Sequence, residues 1–159
     1  LCPFSVKAAM LEPAVYGFGA GLVSTALMTV VQYPFWRRWG TAGVLEWHEN
    51  ACIAARILRR KAEEVLVHGF VFHFLNGGLA AMFYAIAVSS FSVLQTIDVW
   101  LRGVLFGVFL WLATLAPIHK PITGVSITSH PLGPRPAALS IALHLLYGLS
   151  TAYITALTL

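Results

Sequence analysis

The sequence predicts an all-α integral membrane protein: four transmembrane helices forming two tandem hairpins, plus a cytoplasmic amphipathic helix at the membrane interface. Three observations predict it. Of 159 residues, 58% are hydrophobic and 10% charged, with a mean hydropathy of +0.80, whereas a soluble domain carries about 25% charged residues. The apolar residues fall in four runs, each near the ~20 residues that a helix needs to cross hydrocarbon. These runs are continuous rather than alternating, which excludes a β-barrel and leaves helices as the spanning form. Residues 1–159 read as a single integral membrane domain.

The first span, 14–36, has no formal charge, carries Gly17, Gly21, Thr25 and Thr29 four apart, and ends near Pro34. It is too long and too poorly flanked for a cleaved signal peptide. Residues 45–66 have helical periodicity, with Trp47, Ala51, Ala54, Leu58, Ala62 and Val65 on one face. Glu49, Arg56, Arg60 and Glu63 occupy another. This helix is expected to lie in the interface, with Trp47 at headgroup level and Arg56, Arg59, Arg60 and Lys61 toward anionic lipid. A bend near His68-Gly69 would lead into the second span, 67–91, which holds His68, His73, Gly77, Ala81 and Ala85. The third span, 99–118, has Arg102 near its start, Gly103 and Gly107 within, and Pro117 at its end. The stretch HKPITGVSITSHPLGPRP reads as extended and irregular. The fourth span, 137–159, contains Ser140, His144, Gly148 and Ala152 at intervals of four.

Lipid tails supply no hydrophobic drive for helix pairing, so Gly17, Gly21, Gly77, Gly103, Gly107 and Gly148 are read as packing positions where backbones approach closely. The connections after spans one and three hold Arg37, Arg38, Arg56, Arg59, Arg60, Lys61, Lys120 and Arg135, against Lys7 and Arg102 on the other side. This bias places the basic connections in the cytoplasm and both termini outside. Cys2 and Cys52 then lie on opposite sides and cannot pair within one chain.

HFLNGGLAAMFY from His73 and HLLYGLSTAYIT from His144 share the order His, two apolar residues, a polar or aromatic residue, Gly. Each follows a Gly-bearing helix and a basic connection, the pattern of a duplicated hairpin. His73 and His144 would sit at nearly one depth. Facing each other across the bundle, they could ligate a b-type haem, cofactor chemistry that needs axial ligands on opposing helices. The competing reading has two neutral imidazoles hydrogen-bonding neighbouring helices. All six histidines fall in the cytoplasmic half, and LEWHEN adds Glu46 and Glu49, a grouping able to relay protons or, through His48, Glu49 and His68, to hold a metal. No HExxH, HxxxH or HxxHH motif is present, and Glu46, His48 and Glu49 equally suit a solvated first turn.

AGLVSTALMTVV, HFLNGGLAAMFYA and HLLYGLSTAYITA resemble, in the same order, the first, second and fourth helices of a family of small four-helix prokaryotic integral membrane proteins of unknown function. The resemblance spans nearly the whole chain and implies a fold and a prokaryotic plasma membrane, with no catalytic residue to carry over. Three function classes follow. The first expectation is a non-catalytic accessory or assembly subunit of a larger membrane complex, such as a respiratory one, with other membrane subunits or further copies of the chain as partners besides the bilayer. The second is a haem- or quinone-associated redox protein using His73 and His144. The third is a small oligomeric transporter or channel, which an acidic residue inside the spans would favour, and the four spans contain none. Nucleic acid is a poor partner for so small a membrane-apposed basic patch.

Overall fold

The computed structural model describes residues 3–126 and 129–159; for 3–9 and 116–118 it describes the backbone path alone. Leu1 and Cys2 lie outside the described residues. Four helices are long and apolar enough to cross a membrane, over Met10–Gly43, Ala62–Ser90, Val99–Thr123 and Arg135–Thr158. Val30, Val67, Phe83, Phe109 and Leu157 stand bare on the outer surface. An apolar exterior of this extent is stable only against hydrocarbon, so the chain is an integral membrane protein.

Helix α1 (Pro3–Trp39) packs against α3 (Leu66–Ser90), and α5 (Val99–Thr114) against α6 (Arg135–Thr158). A Cβ at Gly17 would meet Ala85, and one at Gly21 would meet the Gly77 carbonyl, so α1 and α3 run antiparallel with their backbones nearly touching. The second pair repeats the device. A Cβ at Gly103 would sit 2.8 Å from the Leu149 Cα, and one at Gly107 would collide with the His144 carbonyl. Such approach substitutes van der Waals contact for the hydrophobic drive that lipid denies. The two pairs join where α1 meets α6, through a core of Met28, Ala81, Leu143 and Tyr147 with Phe106 and Leu110 against it. Tyr84 and Phe106 meet as tilted rings, centroids 4.6 Å apart, between α3 and α5.

The connection from α1 to α3 departs from expectation. The interfacial helix read over 45–66 is two pieces: α2 (Glu46–Leu58) and a 3₁₀ turn (Ala62–Val65). Arg59 ends α2 in the left-handed region at φ 54°, its N–H donating to Ala55 O. The bend expected at His68-Gly69 therefore falls before Lys61. Gly69 is a crossing point, where a Cβ would stand 2.6 Å from the backbone of Ala51. Because Ala51, Ala54 and Ala55 are small, α2 presses onto α3 and buries that face. Trp47 is accordingly a packing residue: it stacks on Trp36 at 4.9 Å and donates its indole N–H to Leu66 O at 2.8 Å.

The third spanning helix does not stop at Pro117. It continues as π-helical turns over Leu115–Thr123, ended by Gly124 at φ 78°, and the expected irregular stretch begins only there. Arg56 of α2 donates to the carbonyls of Pro121 and Ile122, so it clasps this segment. Arg59, Arg60 and Lys61 remain exposed, with a 3.9 Å contact from Arg60 to Glu64. The four-residue α4 (Ser92–Gln95) closes the far side.

Candidate functional site

A cavity of about 290 Å³ lies between the helix pairs, walled by all four spanning helices and by α2. Its chemistry is set by where α2 begins. Val44 sits in the left-handed region at φ 47°, a costly conformation for a β-branched residue, and it turns the chain inward. Leu45 is then fully buried, and Glu46 opens α2 with its carboxylate inside the bundle, 6% exposed.

That carboxylate is held from two sides. Oε2 accepts from the Gln32 amide of α1. Oε1 accepts from the Ser140 hydroxyl of α6 at 2.7 Å and lies 3.5 Å from His144 Nδ1. Burial pushes the Glu46 carboxyl above its ordinary range; His144 pulls it down, and the neighbouring Glu49 adds to the rise. The N-terminus of α2 favours negative charge there, an offset smaller than full desolvation of a carboxylate. Sequence reading allowed Glu46 as a solvated first turn and found no acid within the spans. The structure corrects this, because the connecting segment carries an acid in among them.

The two rhyming histidines line the same cavity. His144 Nδ1 lies 2.9 Å from the Ser140 carbonyl, which can only accept, so Nδ1 carries the proton in the neutral ring. His73 Nε2 lies 3.2 Å from Thr29 Oγ1, whose own proton goes to Thr25 O. His73 Nε2 is therefore a donor, and each imidazole ties into a neighbouring hydroxyl or carbonyl. The Tyr147 hydroxyl crosses from α6 to donate to Gly77 O at 2.5 Å. Asn76 donates to Asn50 at 2.6 Å between α3 and α2.

Glu49, one turn beyond Glu46, leads away from the cavity. Its Oε1 lies 2.5 Å from His119 Nδ1 on the π-helical segment. Glu49 and Thr114 line both the main cavity and a small neighbouring one, which is also bordered by His119 and His130. Burial and the adjacent His119 lower the pKa of His130, whose Nδ1 accepts the Leu132 N–H. Among the described residues no Lys or Arg lines either space.

The proposed metal ligands do not converge. His48 Nε2 faces Cys52 Sγ at 3.7 Å, Glu49 faces His119, and His68 is exposed on α3. Burial lowers the pKa of His48, which keeps it neutral. Among the described residues no three His, Cys, Asp or Glu side chains come together as a metal site. Sequence reading grouped His119 with the other histidines and with Glu46 and Glu49, but missed Gln32, Asn50, Ser140 and Tyr147 as parts of one site. Gln32 was the strongest available signal, a lone amide in an otherwise apolar helix.

Comparison with protein-family models, with curated proteins and with solved structures gave no match. The likeness carried by the His-x-x-x-Gly helices thus rests on those motifs alone.

Proposed function

We propose that this chain is a small proton-linked membrane transporter whose cavity takes a small organic cation. The observation that carries the reading is the Glu46 carboxylate, buried between α1, α2 and α6 at a cavity that no Lys or Arg lines among the described residues. With the cavity empty, burial favours the protonated acid. A bound cation supplies the missing positive charge, the proton leaves, and the pair exchange with no net change in the charge of the site. Met28, Ile53 and Leu110 give the cavity an apolar wall for the substituents of such an ion. Glu49, His119 and His130 offer the proton a way toward the basic connections, which the charge bias assigns to the cytoplasm. Four helices enclose little, so the working unit is an oligomer of copies. The matched pairs Gly21–Gly77 and Gly107–Gly148 support descent from a duplicated hairpin.

The test is reconstitution into liposomes loaded with a pH-sensitive dye, with an imposed gradient of methyl-, tetramethyl- or tetraethylammonium. Cation movement with opposed proton movement, abolished by Glu46→Gln, is the expected result. Equal exchange by wild type and Glu46→Gln would sink the reading. Haem ligation by His73 and His144 is a second reading, motivated by their shared cavity; it requires His73 Nε2 to leave Thr29. A Soret band that sharpens on dithionite reduction would select it. An accessory role in a larger complex asks nothing of the cavity, and copurifying subunits with no exchange activity would select that one.

A further inference from the structure

At the opposite end of the bundle a third cavity, about 340 Å³, opens where α5 begins and α6 ends, and α3 and α4 complete its wall. Arg102 reaches into it, one turn inside the third spanning helix. Its Nε is buried without an acceptor, and Arg102 makes no ion pair among the described residues. Thr155 lines the same cavity at 2% exposure, and its hydroxyl also lacks a partner. Among the described residues no acidic side chain lines the space, whereas the Tyr84 phenol and the Ser89 hydroxyl do. Charged groups at membrane depth are ordinarily paired. Here a guanidinium and a buried hydroxyl converge on a cavity with no acidic side chain among the described residues.

We propose that this cavity binds a phosphate group, that of an anionic phospholipid headgroup in the leaflet opposite the basic connections. The guanidinium fork matches two phosphate oxygens, which a point charge does not. The Thr155 hydroxyl donates to a third oxygen. Trp100, two residues before Arg102 and half exposed, marks this level as the membrane–water boundary, where headgroup phosphates lie. The site is independent of Glu46, and its failure would leave the transport reading untouched.

The experiment is native mass spectrometry of the detergent-purified full chain titrated with phosphatidylglycerol, phosphatidylcholine or inorganic phosphate. One retained phosphatidylglycerol per chain is expected, with at least tenfold lower occupancy in Arg102→Gln. Thr155→Val, nearly isosteric, covers the case in which Arg102→Gln fails to fold, and it should weaken binding several-fold. Arg59→Gln, on the other side of the protein, should bind as wild type does. Retention of phosphatidylglycerol in the presence of excess inorganic phosphate assigns the site to lipid. Displacement by phosphate assigns it to a free phosphate and overturns the lipid source. Unchanged binding in Arg102→Gln or Thr155→Val, or no adduct at all, overturns the site.

Discussion

Replacing Glu46 by Ala and by Gln separates wiring from charge. Ala removes the acceptor of the Gln32 amide, which is 1% exposed, and of the Ser140 hydroxyl. A buried polar group stripped of its partner costs about 1–3 kcal/mol, and the half-buried Ser140 loses less than Gln32. Glu46→Ala should therefore destabilise by about 2–4 kcal/mol. Gln keeps the shape and one acceptor, and the Ser140 hydroxyl can accept from the new amide, so Glu46→Gln should cost under about 1 kcal/mol. The pH dependence gives the sharper contrast. The folded state raises the Glu46 pKa, so its stabilising contribution is complete below the ordinary value of 4.5 and is lost as pH rises through the raised value. Over that window each pH unit withdraws about 1.4 kcal/mol. His144 on α6 opposes the rise, Glu49 on α2 reinforces it, and α1 faces Glu46 with the neutral Gln32. Glu46→Gln should abolish this alkaline loss. It should keep the acid-side loss from His48 and His130, whose lowered pKa values give stability above 6.5 that disappears as pH falls through them. Denaturant unfolding in detergent, repeated across pH, reads both effects. An alkaline loss that survives in Glu46→Gln, or an Ala variant no weaker than Gln, would refute the reasoning.

Two further substitutions test the packing. Gly107→Ala places a methyl group against the backbone of His144 and Leu145, which cannot yield without parting α5 from α6, and should cost about 1–3 kcal/mol. Gly19→Ala meets nothing within 4 Å and should instead stabilise α1 by up to about 1 kcal/mol; thermal unfolding of the pair measures both. Arg56→Ala frees the carbonyls of Pro121 and Ile122, so limited proteolysis should cut faster between Leu115 and Pro134 while the four spans stay intact.

The spans were legible because hydropathy over ~20 residues is a statement about solvent and needs no tertiary partner. The close-approach glycines were legible for a related reason: small residues four apart on a lipid-facing helix have few other uses. The placement of α2 was not. An acidic first turn, a Trp and a run of alanines describe an amphipathic helix without saying what its apolar face covers. What fixes that face on α3 is Gly69, which admits the backbone of Ala51, together with a partner for the Trp47 indole in Leu66 O. The π-helical extension was hidden in the same way, because it is held by Arg56 and Glu49 from another element.

The site itself left a partial trace. Gln32 and Ser140 are polar groups within apolar spans, and each needs a hydrogen-bond partner once buried. Two such groups on different helices can share one acceptor, which a carboxylate provides with its two oxygens. Glu46 and Glu49 lie in the segment that links the first two spans, so the missing acceptor was written beside the helices rather than within them. A search for charge inside spanning segments alone passes over it. The buried amide and hydroxyl locate it, because their donors must point somewhere.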